Sequence, residues 1–353
     1  MRYARTRTLC KTGPFHARSV DVECSLKRGI PRILLSGLGR NQSATDRLRC
    51  ALTGSGVTFP PLVVTINLAP ADLPKKGGHL DLAMAASLLL ALEEGKETSL
   101  LRSLPAQETI FLGELSLAGD VRRIDYLYVY LQTAASAGIR RIVLPAENFG
   151  SIPLPSNFIY YPVSSLTELL LPPRSSPVKI SEPFESKPGN TKLERLSLPS
   201  ALKKALVVSA AGWHSILLAG PPGIGKSTAA REIYSLLSAP DEFEVLEILK
   251  VKEALGESFS KEIARPFRNP HHTITSRALA GGGSPVEPGE ITRAHCGLLV
   301  LDELAEFERT ALQTLREPMQ EEKICVVRQG EAMELPSRFL LAGTTNPCPC
   351  GHH

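Results

Sequence analysis

Residues 220–228 read GPPGIGKST and match the spacing G-x-x-x-x-G-K-[ST] at every fixed position. These residue types suit phosphate. Gly220, Pro221, Pro222, Gly223, Ile224 and Gly225 form a loop whose glycines let backbone N–H groups close around phosphate oxygens. The helix expected over Thr228 to Leu237 adds its positive dipole end. Lys226 can reach the β- and γ-phosphates, and the Ser227 hydroxyl can coordinate Mg²⁺. A glycine-rich turn matching by chance is the competing reading. It loses because the apolar strand Ile216 to Ala219 precedes the loop and helical sequence follows it.

A second element carries acids. Residues 298–303, LLVLDE, are an apolar run ending in Asp302 and Glu303, about 75 residues after the loop. A buried parallel strand of this kind delivers carboxylates to the strand's C-terminal edge, where ligands of open α/β sheets sit. Asp302 is expected to hold Mg²⁺ and Glu303 to orient the attacking water. A third strand, Phe339 to Ala342, leads to Asn346, placed to touch the γ-phosphate or its water; on spacing alone a cap or turn residue fits Asn346 equally well.

The elements that hold these residues are those of an α/β protein. The chain has 353 residues, 43% hydrophobic and 22% charged, which excludes disorder throughout and leaves room for two domains. Its longest apolar run, Leu82 to Leu92, is too short to cross a bilayer, so no membrane partner is expected. No apolar segment follows the basic first dozen residues, so no signal peptide is read there. The seven scattered cysteines then fit reduced thiols and a cytoplasmic location. A Pro- and Ser-rich stretch predicts a linker over 171–195, between an N-terminal domain (1–170) and a P-loop domain (196–353). In the first domain, Arg32 to Leu35 and Leu62 to Leu68 read as strands and Leu80 to Leu92 as a buried helix. Tyr126 to Ala137 reads as a helix ending at Gly138, followed by the strand Arg141 to Leu144. Net charge is +4, and residues 1–50 hold eleven Lys/Arg against three acids. On charge alone a solvated face fits this better than nucleic acid.

Together these residues resemble an AAA+ ATPase, and more narrowly the magnesium-chelatase-like ATPases of the YifB/ComM family. The resemblance rests on Phe267 to Ser276 (FRNPHHTITS), Gly281 to His295 (GGGSPVEPGEITRAH), LLVLDEL to Leu304, Thr345 to Gly351 (TNPCPCG) and Ile66 to Asp81 (INLAPADLPKKGGHLD). It implies a P-loop core with ATP and Mg²⁺ as cofactors. Gly220 to Thr228 would bind the nucleotide, Ser227 and Asp302 the metal, and Glu303 and Asn346 would be the catalytic pair. It also implies a hairpin-like insertion at Gly281–Gly289 and a self-assembled ring, usually a hexamer. Better-described members act on DNA as branch-migration helicases. The first domain resembles the Lon-protease-type fold that this family places ahead of its ATPase. His79 stands where the Lon serine would be, and Tyr128 stands near the catalytic lysine. With no hydroxyl nucleophile and partner base, a non-proteolytic scaffold is expected.

Three features stand apart. His271 and His272 are adjacent, a poor chelate on regular structure, so a structural or DNA-contact role is expected over metal. Cys348 and Cys350 make half of a zinc site, with His352 and His353 too cramped to complete it, and no zinc is expected. The resemblance also implies a helical lid and an intersubunit arginine beyond Asn346, whereas this sequence stops at His353. Phosphate binding is expected, and turnover by this chain is left open. Two other readings stay open: a chelatase-type motor acting on a partner protein, and an ATP-binding remnant without turnover.

Overall fold

Val20, Val22, Cys24 and Leu26 are buried and alternate with Asp21, Glu23, Ser25 and Lys27, a period of two that makes residues 17–28 a strand with one face in a core. The computed structural model describes residues 2–38, 42–59, 61–71, 73, 75, 77–92, 97–149, 152–172, 177–180, 185–186, 193–260, 262–283, 286–328 and 331–347. The chain divides into two units, Met1–Pro183 and Phe184–His353.

The first unit is built on one mixed sheet. Its strands are β1 (Arg2–Lys11), β2 (Ala17–Arg28), β3 (Arg32–Ser36), β4 (Leu62–Ala69), β5 (Thr109–Phe111), β6 (Arg141–Pro145), β7 (Ile159–Val163) and β8 (Val178–Lys179), in the order β8-β7-β6-β5-β1-β2-β4-β3. The β1–β2, β2–β4 and β7–β8 pairings are antiparallel and the others parallel. Helix α1 (Gln42–Gly54) and helix α2 (Asp81–Leu92) share the core with the inner side of this sheet. The sequence DLAMAASLLLAL buries every side chain of α2 except Leu90, as a helix apolar all round requires. Its one acid, Asp81, is held by a two-pronged ion pair from Arg47 of α1, at 2.9 and 3.2 Å. Helix α3 (Leu127–Ser136) stops before Gly138, which takes φ 73°. Within the stretch expected as a linker, β8 extends this sheet, and residues Glu185–Ser186 pair with Glu262–Ile263 in the second unit.

In the second unit β9 (Ile216–Ala219), β10 (Phe267–Arg268), β11 (Gly297–Leu301) and β12 (Phe339–Thr345) form an all-parallel sheet in the order β9-β12-β11-β10. The sequence GLLVL makes β11 fully buried, as a parallel strand covered on both faces must be. Gly297 is required there, since a Cβ would lie 2.0 Å from the Pro266 carbonyl oxygen. Helix α4 (Ser200–Gly212) and helix α5 (Lys226–Leu236) pack Leu206, Ala229, Ala230 and Ile233 against Leu298, Val300 and Leu340. Helix α6 (Glu242–Ala254) opens with a capping box: Asp241 accepts from the Glu244 N–H while the Glu244 side chain accepts from the Asp241 N–H. The fold is an α/β P-loop architecture.

Candidate functional site

Strand β9 feeds directly into the glycine loop, and α5 begins at Lys226. Gly223 and Gly225 take φ 80° and 88°, left-handed conformations that strain any residue with a Cβ. They turn the chain sharply and leave Gly220, Pro221, Pro222, Gly223 and Ile224 as a half-open to open rim, with Gly225, Lys226, Ser227 and Thr228 at the helix start. The first N–H groups of α5 have no partner within the helix and carry its positive dipole end.

Lys226 and Ser227, neighbours on that first turn, reach two different strands. The Lys226 ammonium donates to the Gly220 and Pro221 carbonyls at 2.7 and 2.8 Å and to Asn346 Oδ1 at 2.9 Å. The Ser227 hydroxyl donates to Asp302 Oδ1 at 2.8 Å. Parallel pairing of β11 with β12 sets this up, because it carries the ends of both strands to the same sheet edge as the loop.

Asp302 also accepts from the Thr344 hydroxyl, whose oxygen accepts the Glu303 N–H at 3.0 Å. Burial pushes the Asp302 carboxyl up. The hydrogen bonds from Thr344 and Ser227, the nearby Arg231 charge and the Glu303 N–H outweigh burial and hold it below its ordinary value. The carboxylate is therefore ionised at neutral pH and presents hard oxygen, the ligand type that Mg²⁺ prefers.

Glu303 lies just past β11 with φ 56° and ψ 54°. This left-handed conformation costs a non-glycine residue on the order of 1 kcal/mol and is a form of strain that gathers at functional sites. Its side chain is about half exposed, and its carboxylate lies 3.7 Å from His272 Nδ1. The His272 ring packs against His271 at 4.0 Å and edge-on to Phe307 at 6.4 Å.

The structure thus brings Lys226 to Asn346 and Ser227 to Asp302, and ties Glu303 to the same knot through its backbone. Sequence reasoning assigned no role to Thr344, the residue that joins Asp302 to Glu303, nor to Arg231. A threonine near the end of the third strand, two positions before Asn346, was the available signal. Among the described residues no three His, Cys, Asp or Glu side chains gather as a metal cluster; Cys348, Cys350, His352 and His353 lie outside the described residues. Within the stretch 281–289, Gly281–Gly282 pairs antiparallel with Glu287–Pro288. In the first unit His79 is buried against Tyr130 at 5.1 Å, and the Tyr128 hydroxyl donates to the Pro153 carbonyl at 2.7 Å.

The chain matches known proteins of one family in sequence. The family model described as magnesium chelatase, subunit ChlI, matches residues 193–353, and a model for subunit ChlI of Mg-chelatase matches residues 22–148. The YifB protein of Salmonella typhimurium is 35% identical over 345 residues, 96% of this chain and 67% of its own length. The competence protein ComM of Haemophilus influenzae is 34% identical over 346 residues, 95% of this chain and 67% of its own length. This chain belongs to the YifB/ComM family of magnesium-chelatase-like AAA+ proteins. It spans about two thirds of the length of these relatives. The magnesium-chelatase 38 kDa subunit of Cereibacter sphaeroides is 30% identical over 168 residues, 41% of this chain and 49% of its own. The family is thus of the AAA+ ATPase type. Among the described residues of this YifB/ComM-type chain, no helix is long and apolar enough to cross a membrane.

Proposed function

We propose that this chain binds ATP with Mg²⁺ at the loop of Gly220 to Thr228 and serves as an ATP hydrolase that remodels or translocates DNA, assembled as a ring with copies of itself. The carrying observation is that adjacent residues Lys226 and Ser227 converge on Asn346 and Asp302 from a helix N-terminus. Among the described residues Lys226 donates to uncharged acceptors, so phosphate oxygens can replace the Gly220 and Pro221 carbonyls as its partners. Ser227 and Asp302 would hold the metal by their oxygens. When bound, Mg²⁺ neutralises phosphate charge as it develops. Glu303 orients the attacking water, and Asn346 is released from Lys226 to face the terminal phosphate.

The DNA part of this reading draws on similarity to ComM. A chelatase-type motor acting on a partner protein is the second reading, favoured by the chelatase subunit models over both units. ATP hydrolysis measured with and without single- and double-stranded DNA separates them. Stimulation by DNA that fades with added salt supports the first reading. No response to DNA, with stimulation by a purified protein partner, overturns it in favour of the second. ATP binding without turnover under every condition reduces the chain to a nucleotide-binding remnant.

A further inference from the structure

The strand registers of the first unit line up one outward face of its sheet. Val63 of β4 is paired with Lys27 of β2 on one side and with Arg32 of β3 on the other. In the next row on that face, Tyr3, Ser25, Thr65 and Leu34 run across β1, β2, β4 and β3. Side chains alternate along each strand, and the intervening set, Cys24, Leu26, Val64 and Ile66, is buried in the core. Lys27 and Arg32 are therefore on the solvent side, two strands and about 10 Å apart. Tyr3 is 57% exposed and Leu34 is 42% exposed.

The charges on this face are not alike. Arg5 pairs with Asp21, Arg7 lies 3.3 Å from Asp21, and Glu23 accepts from Tyr3 and Asn67, each at 3.0 Å. The acids of the face are therefore already engaged. Lys27 and Arg32 are exposed and, among the described residues, have no acidic partner. Between them Ile30 stands 84% exposed at the tip joining β2 to β3. Two cations without an acidic partner among the described residues, beside an exposed aromatic ring and apolar side chains, suit a polyanion that also has flat apolar faces.

We infer that the open face of β1, β2, β4 and β3 is a docking surface for single-stranded DNA, with Lys27 and Arg32 on phosphates and Tyr3 stacking on a base. A duplex would satisfy the cations but hides its base faces from Tyr3 and Leu34. A single strand offers both, the combination that sequence-tolerant single-strand binders use. The inference rests on the DNA-acting reading above and is independent of the nucleotide site.

The test is fluorescence anisotropy of labelled oligodeoxythymidylate with the full chain over a salt series. Tyr3→Ala is expected to weaken binding roughly tenfold and Tyr3→Phe to restore it. Replacing Lys27 and Arg32 together by alanine should lower the slope of log affinity against log salt by roughly 1.4. Arg102→Ala, an exposed cation elsewhere in this unit, should change neither. Folding is checked in every variant by binding of a fluorescent ATP analogue and by thermal melting. Unaltered affinity and slope in the double variant, with wild-type DNA binding intact, would overturn this surface and leave the DNA-acting reading standing. Failure of the wild type to bind any DNA would remove both. Equal loss in the Arg102 variant, tighter binding of duplex through the same residues, or capture by anionic lipid vesicles without oligonucleotide binding would also overturn it.

Discussion

Ser227 and Asp302 are 75 positions apart in sequence, yet the serine hydroxyl donates to the aspartate at 2.8 Å. The bond joins the first turn of α5 to the end of β11, so loop and acid strand are held in register before any ligand arrives. Two hard oxygens at this distance are suited to sharing one divalent cation. Ser227→Ala should therefore weaken nucleotide binding in the presence of Mg²⁺ and change it little in EDTA. Titrating a fluorescent ATP analogue with and without the metal checks this. Equal weakening under both conditions would mean that Ser227 acts on the loop itself.

Lys226 and Glu303 are expected to separate binding from turnover. Lys226→Ala removes the cation at the loop mouth and should abolish ATP binding. Glu303→Gln keeps the left-handed backbone and the N–H to Thr344 but replaces the carboxylate. It should retain binding and stop whatever hydrolysis the unaltered chain supports. Tight ATP binding by the lysine variant would show that phosphate sits elsewhere.

Thr344 tests the knot behind the acids. Its hydroxyl donates to Asp302 and accepts from the Glu303 N–H, and the residue is 1% exposed. Thr344→Val keeps the shape and removes both bonds, leaving the part-buried Glu303 N–H without its partner. Mg²⁺-dependent nucleotide binding should fall by roughly tenfold, the scale of one such lost bond, and Thr344→Ser should restore it.

What could be read from the sequence was local. The glycine loop with Lys226 and Ser227 is one contiguous string, and Asp302–Glu303 follow a run of apolar residues without a break. The strands at Arg32 and Leu62 and the helix at Leu80 were legible for the same reason, since their core-side positions are apolar residues. The first strand was not legible, because its inward positions include Thr6 and Thr8, buried but polar, with Thr6 donating to the Ala83 carbonyl at 2.9 Å. Helix α6 was hidden differently. It buries Glu244, Glu247 and Lys250, which a sequence presents as surface residues. Their burial depends on partners elsewhere in the chain: Arg265 meets Glu244 at 2.6 Å, and His295 meets Glu247 at 2.9 Å. The pairings of Lys226 with Asn346 and of Thr344 with Asp302 likewise follow from strand order, which spacing does not encode.

Arg47 and Asp81 make a stability prediction in the first unit. Asp81 is 1% exposed at the start of α2, and burial, opposed by Arg47, raises its carboxyl above the ordinary value. Arg47→Ala leaves this carboxylate buried without its cation and should destabilise the unit by about 3 kcal/mol. Chemical denaturation read by far-ultraviolet circular dichroism measures it. Adding Asp81→Asn should recover part of the loss, since the buried charge is then removed. A loss unchanged by that second substitution would point to packing by the Arg47 stem.

His79 gives the pH dependence of the same unit. Burial, with a smaller contribution from the Lys11 charge, lowers its pKa from the ordinary 6.5 to about 4. In the unfolded chain the ring binds its proton near pH 6.5, so between there and about pH 4 the unfolded state holds more protons than the folded one. Stability contributed by the neutral ring is complete above pH 6.5 and is lost as pH falls through that window, by ~3 kcal/mol at its foot. His79→Phe keeps an aromatic ring against Tyr130 and removes the titration. Melting curves from pH 7 to pH 4.5 should therefore show the wild type losing stability faster than the variant. Parallel curves would mean that the imidazole is charged in the fold, and that the unpartnered Nε2 has found an acceptor in solution.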